Sequence, residues 1–338
     1  MRLLVLGGTH HVGRAVVEDA LARGHEVTTV TRGASGAPAD GVDGRFADRR
    51  DLTAFTDVLG SDTWDAVLDT WSEEPSVVRD SAGLLDERVA HYGYVSSRSV
   101  YAWPIPPGAD ENAPVVAGDP DSASSDDYAA AKRGAEIAVL DTFADRALIA
   151  RAGLVIGPYE VVGRLPWWLN RIADGGEVLA PGPPERALQY VDGRDLGAWM
   201  LDRAELTVRG GAGDGTYDAV SLTGHTTTRG LLEACLATTG ADARLVWASP
   251  ELLAEEGVTG WVDLPIWVPP TGELAGLHES DTSAAAAAGL RCRPVEETVA
   301  DTWAWLRTEG AIPSTHPERQ PAGIDGETEQ RILARLHA

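Results

Sequence analysis

Cysteine is almost missing from this chain. Two occur in 338 residues, Cys235 and Cys292, too few for a disulfide framework and in keeping with a reducing, cytoplasmic setting. Positive charge is scarce as well: 28 Lys and Arg stand against 52 Asp and Glu, a formal net charge of −24. Such a surface repels nucleic-acid backbones and anionic membranes, so neither is an expected partner. Solubility or a halotolerant, GC-rich source is its simplest explanation. Long apolar runs are absent. The apolar start, residues 3–6, is far too short for a signal peptide or a membrane span, and glycines follow at once. There is no internal repeat. His10 and His11 are adjacent, but no third His or Cys stands at a metal-ligand spacing from them, so no metal site is expected.

The chain does carry material for a full core, being 43% hydrophobic, and its length suits one large domain or about two ordinary ones. Residues 2–6 read as a buried parallel strand. Gly7-Gly8-Thr9-His10-His11-Val12-Gly13 follows, then a helical pattern with Val12, Ala15, Val16 and Ala20 on one face, then a strand over 26–31. Strand, glycine turn, helix and strand make the first βαβ unit of a dinucleotide fold. The glycines let the backbone approach a pyrophosphate, and the helix N-terminus supplies amide donors and a positive dipole. Residues 7–13 are therefore candidate cofactor ligands. The second strand ends at Thr31-Arg32-Gly33. No acid stands there for a ribose hydroxyl, whereas Arg32 suits a 2′-phosphate, so NADP(H) is expected over NAD(H).

Further strands are expected over 44–47, 65–69, 91–96 and 146–151, with a helix over 75–86. In an open α/β sheet, ligands collect at the carboxyl ends of the strands, which makes Asp48, Arg49 and Thr70 further cofactor candidates. A long Pro-, Gly- and Asp-rich loop over 103–125 reads as functional. It leads to a helix carrying Tyr128-Ala129-Ala130-Ala131-Lys132, with Ser125 or Asp126 as its cap. A Tyr and a Lys four apart on a helix share one side. The ammonium then favours the ionised phenol, which can exchange protons near neutral pH. Beyond residue 157 prolines and tryptophans multiply. Helices are expected over 195–204, 228–238, 250–256, 284–288, 295–308 and 327–336, and short strands over 188–191, 216–220 and 244–247. This gives an α/β protein: a Rossmann-type doubly wound parallel sheet over 1–157, rejoined by about 188–205, with a smaller mixed α/β substrate lobe over 158–312 and a polar tail over 313–338.

The ordered set Gly-Gly-Thr-x-x-x-Gly, Val95-Ser96-Ser97-x-Ser99-Val100-Tyr101, Tyr-x-x-x-Lys and Arg151-Ala152-Gly153-Leu154-Val155-Ile156-Gly157-Pro158 resembles the short-chain dehydrogenase/reductase superfamily. Within it the chain resembles the extended or atypical branch, the NAD-dependent epimerase/dehydratase family. The segments over 189–196 and 215–218 are similar to that family's downstream segments, so the likeness runs to about residue 307. The resemblance implies Tyr128 as catalytic acid/base and Lys132 as the residue that lowers its pKa and holds the nicotinamide ribose. It implies Ser97 as the hydroxyl that orients the substrate oxygen, with Ser99 as its neighbour. His10 replaces the usual middle glycine of the turn, and Ala152 a common proline. Trp167, Trp168, Trp261 and Trp267 are candidates to line a pocket. Arg186 and Gln189 stand where the family's sugar-nucleotide enzymes contact substrate. No Glu stands beside Ser97, which argues against a dehydratase.

The reading that follows is an NAD(P)H-dependent oxidoreductase acting on a small carbonyl or alcohol. The alternative is a nucleotide-sugar epimerase with recycled bound NAD. A cofactor-sensing or RNA-binding relative on the same fold is opposed by the intact Ser97, Tyr128 and Lys132 set and by the charge. Dimerisation through the helices flanking the sheet is common in such enzymes, and no feature of this sequence argues it independently.

Overall fold

A computed structural model describes residues 1–34, 37–309 and 322–338. Strands and helices alternate through the first half except between β2 and β3, which follow one another directly: β1 (Arg2–Leu6), α1 (His11–Ala22), β2 (Glu26–Thr31), β3 (Asp43–Phe46), α2 (Leu52–Leu59), β4 (Ala66–Asp69), α3 (Pro75–Leu85), β5 (His91–Ser97), α4 (Tyr128–Phe143) and β6 (Ala147–Ala152). Together with a later strand, Gly215–Ala219, these form one seven-stranded sheet in the order Gly215–Ala219, β6, β5, β4, β1, β2, β3. Every pairing in it is parallel. Leu3, Leu4, Val5 and Leu6 are all buried, because helices cover both faces of the central strands. The chain order reverses between β1 and β4, so a crevice opens there at the strands' carboxyl ends. Among the described residues no helix is long and apolar enough to cross a membrane.

Local sequence sets the helix starts. Asp51 caps α2 by accepting from Ala54 N at 3.0 Å. Asp127, one residue past the candidates Ser125 and Asp126, caps α4 by accepting from Ala130 N at 3.1 Å. That cap fixes Tyr128 as the first residue of its helix. The helix Arg164–Ala173 was not foreseen, since Pro166 reads as an interruption. Pro166 lies in its first turn, where the missing N–H costs nothing.

Two segments beyond residue 158 belong to the sheet layer. Helix Gly193–Val208 packs on α1, with Gly197 against Val16. Strand Gly215–Ala219 pairs with β6, so it extends the sheet and is not part of the lobe. The strand expected over 188–191 is broken into Ala187–Leu188 and Val191–Asp192, which pair with different partners. Between them the Gln189 amide points at His278 Nδ1 and the Tyr190 amide at Ser221 Oγ. The lobe has its own core around Trp168, Leu179, Leu253 and Trp267. The last helix, Gly326–Leu336, closes it: the buried Glu329 accepts from Leu179 N and Arg171 Nε. Residues 313–321 of the expected tail lie outside the described residues.

One buried ion pair fixes the end of β4. Both Asp69 oxygens take the Arg49 guanidinium at 2.7 Å, and the same carboxylate accepts from Tyr92 Oη at 2.6 Å and Trp71 N at 2.9 Å. Burial works against this charge, but Arg49 and these donors hold the carboxyl below its ordinary range. Removing one partner strands the other in the core. Asp69→Ala is expected to destabilise the fold by about 3–5 kcal/mol in urea unfolding, and a loss below about 1 kcal/mol would contradict this role.

Candidate active site

The crevice is a cleft of about 1250 Å³ at the carboxyl ends of β1, β2, β4 and β5, and all of residues 7–13 line it. The turn from β1 into α1 admits only glycine at its tight points. Gly7 has φ +121°, and a Cβ there would lie 2.3 Å from Thr70 Oγ1. A Cβ on Gly13 would lie 2.7 Å from Gly8 N. Thr70 is itself pinned by donating to Leu6 O at 3.1 Å. His10 stands at the N-cap of α1 without a capping side-chain bond, which leaves the first-turn amides to a ligand. Both ring nitrogens of His10, and Nε2 of His11, are buried without partners. Burial lowers both pKa values, that of His11 to about 4, so both rings are neutral at neutral pH. A cradle a Cβ would fill, amide donors at a helix start and the unpartnered neutral imidazole of His10 fit the phosphates of a dinucleotide.

The proton-handling residues gather at the other end of the cleft. Ser97 is the last residue of β5 and caps the turn Arg98–Val100. Its Oγ accepts from Ser99 N and donates to Ser99 Oγ, both at 3.1 Å. Tyr128 opens α4, is 41% exposed and lines the cleft. Lys132, one turn on, is the only lysine in the chain and is 3% exposed. Its Nζ donates to Trp71 O and Val95 O at 2.7 Å and to Tyr94 Oη at 3.1 Å. Burial lowers its pKa to about 7, against the pull of Asp69 and Glu136. The Trp71 carbonyl that holds Lys132 belongs to the residue whose amide is fixed by Asp69, so the Arg49–Asp69 pair at the end of β4 positions the ammonium.

Arg32, Thr70 and Ser99 also border the cleft. Several expected site residues do not. Asp48 is exposed and turns back to Arg50 N at 3.0 Å. Arg49 borders the cleft, but its guanidinium is committed to Asp69 and Ser81. Trp167 and Trp168 pack edge to face in the lobe, with the Trp168 indole donating to Pro265 O at 2.7 Å. Trp267 is likewise buried there, and of the four tryptophans only Trp261 reaches the cleft. Arg186 donates to Ala275 O, and Gln189, fully buried, donates to Ser221 O and Ser280 O at 2.9 Å. Glu160 is buried and takes Arg164 N at 2.8 Å at the start of helix Arg164–Ala173, and burial raises its pKa to about 7.

The sequence did not point to a further part of the cleft lining. This part comprises Trp103, Val161, Val162, Arg164, Leu274 and Leu277, with the Arg164 guanidinium 4.6 Å from the centre of the Trp261 ring. Only the loop over 103–125 gave a signal for any of it. Leu274 and Leu277 lie in no motif.

The fold is shared with several solved enzymes. Bordetella bronchiseptica WbmH, in complex with NAD+, is 17% identical, with 92% of this chain and 99% of that chain aligned at a TM-score of 0.66. B. bronchiseptica WbmG, in complex with NAD and UDP, is 16% identical over 92% and 96%, also at 0.66. The UDP-glucose 4-epimerase of Thermotoga maritima, with UDP-glucose, is 18% identical over 91% and 99%, at 0.65. No curated protein matches the sequence. A family profile does, that of the NAD dependent epimerase/dehydratase family, over residues 3–212. With the glycine cradle, the Ser97 turn and the Tyr128–Lys132 helix inside that span, the chain belongs to the NAD dependent epimerase/dehydratase family.

Proposed function

We propose that this protein is an NAD(P)H-dependent oxidoreductase that moves hydride between a nicotinamide cofactor and a small, largely apolar carbonyl or alcohol. The observation that carries the reading is the lining of the cleft that holds Ser97 and Tyr128. Leu274, Leu277, Trp103 and Trp261 bring apolar surface to it beside the Arg164 guanidinium, while Arg186 and Gln189, the polar side chains expected to meet a sugar nucleotide, are committed to Ala275 O and Glu279 and to the Ser221 and Ser280 carbonyls. The cofactor, when bound, supplies or takes up the hydride. Residues 7–13 and Thr70 would hold its phosphates, and Lys132 would hold its ribose by redirecting one of the three bonds that its Nζ donates to Trp71 O, Tyr94 Oη and Val95 O. A preference for NADP(H) rests on Arg32, which is exposed at the mouth of the cleft; residues 31–34 bring no acid to the end of β2. The second reading, a nucleotide-sugar epimerase, draws on the fold likeness to enzymes solved with NAD, UDP and UDP-glucose.

In the reducing direction, Tyr128 Oη gives a proton to the substrate oxygen as charge develops there. Ser97 turns its hydroxyl hydrogen from Ser99 Oγ to that oxygen while keeping the bond it accepts from Ser99 N. Lys132, in its charged form, favours the phenolate and so eases the transfer. The purified protein is expected to oxidise NADPH faster than NADH in the presence of aryl and alkyl ketones. Tyr128→Phe should lower that turnover by about 10²–10⁴-fold with cofactor affinity retained. Interconversion of UDP-sugars with no net consumption of NAD(P)H would contradict the reading.

Lys132 can be observed directly because it is the only lysine. Reductive ¹³C-methylation should give one ε-amino resonance besides the chain terminus, titrating near pH 7 in the free protein. Below that pH the side chain is charged, and above it neutral. Anionic cofactor should raise the midpoint. A midpoint near the ordinary value of about 10.4 in the free protein would contradict the buried, desolvated ammonium.

A further inference from the structure

The apolar wall is built on a segment without regular structure, residues 274–280, and its backbone is held by side chains from distant parts of the chain. Arg186 donates to Ala275 O. Gln189 donates to Ser280 O at 2.9 Å and accepts from Ser280 N at 3.0 Å. The His278 ring is buried between Gln189 and the Ile266 carbonyl. Gly276 presses on the loop after β5, where a Cβ would lie 2.6 Å from Ile105 O. Leu274 and Leu277 are left half-buried, lining the cleft.

Arg98 joins this strap to the proton-transfer end. It sits between Ser97 and Ser99 in the turn Arg98–Val100 and is 2% exposed. Its Nη1 donates to Leu277 O at 2.8 Å, and its Nη2 donates to Ser280 Oγ. Its carbonyl takes the Trp103 indole N–H at 3.4 Å. Nε faces Asp218 Oδ2 at 3.5 Å, and the other Asp218 oxygen takes Tyr101 Oη at 2.6 Å. A single guanidinium thus reaches two acceptors on the strap while its charge is balanced from behind. That pattern needs a rigid fork of donors, which only arginine offers.

We propose that Arg98 is a positioning residue that fastens the 274–280 strap to the Ser97 turn, and so sets the gap between the proton-donating hydroxyls and the Leu274–Leu277 wall into which the apolar part of the substrate fits. The proposal rests on the oxidoreductase reading above. Asp218, whose carboxyl burial raises to about 6, can shed its charge when Arg98 is replaced, which makes an unbranched apolar variant tolerable.

The test compares wild type with Arg98→Met, Leu277→Ala and the double variant, using 4-phenyl-2-butanone and NADPH. Each single change is expected to raise KM for the ketone about tenfold while KM for NADPH stays within about twofold, a split that a general loss of fold would not give. In the double variant the second change should add little, since both act on one wall. Hydrogen exchange of the unliganded protein should show the 277–281 amides about tenfold faster in Arg98→Met, with β5 unchanged. Should Arg98→Met fail to fold, Ser280→Ala removes one strap acceptor with the arginine kept and should give the same signs. Additive effects, or unmoved ketone KM and exchange in a protein that turns over, overturn the proposal alone. If the wild type reduces no carbonyl compound, the oxidoreductase reading falls, and unchanged exchange in Arg98→Met would then overturn the strap assignment separately.

Discussion

One buried ammonium organises the cleft. Lys132 Nζ gathers the Trp71 and Val95 carbonyls and the Tyr94 hydroxyl, and so ties α4 to the ends of β4 and β5. A charge placed there is costly, because it has left water for carbonyl and hydroxyl dipoles, and its lowered pKa records that cost. What makes the site tenable is the second layer. Arg49 and Asp69 pair behind it, and Asp69 fixes the amide of Trp71, whose carbonyl faces the ammonium. Tyr128 depends on this arrangement, since one helical turn separates it from Lys132.

The cleft has two ends of different chemistry. At the β1 end, glycines crowd so closely against Thr70 and each other that the backbone itself becomes the ligand surface. At the β5 end, Ser97, Ser99 and Tyr128 line the cleft together with Trp103, Trp261, Leu274 and Leu277. The first arrangement suits a phosphate-bearing cofactor shared across a family. The second offers apolar side chains beside the hydroxyls. Arg186 and Gln189 illustrate the division. Their family positions point to a substrate, yet here they hold the strap that forms the wall.

Much of the first end was legible in the sequence because its constraints are local. A glycine turn between an apolar run and an amphipathic helix has few other uses, and a Tyr and a Lys four apart must share a helix side. The second end was not legible, because its contacts span long separations. Arg98 meets Leu277 and Ser280 across about 180 positions, and nothing in either stretch announces the other. Gln189 and Tyr190 look like strand residues until the backbone turns to His278 and Ser221. Pro166 hides a helix because a first-turn proline resembles a break. Asp48 marks the right strand end, but a nearby Arg50 draws its carboxylate away.

The central claim is net hydride transfer at Tyr128 to a small apolar carbonyl. The most direct measurement follows a label from NADPH deuterated at the nicotinamide C4, on either face, with mass spectrometry of the products. Deuterium from one face is expected on the former carbonyl carbon, with oxidised cofactor formed in equal amount. Unchanged cofactor alongside an epimerised UDP-sugar would contradict it.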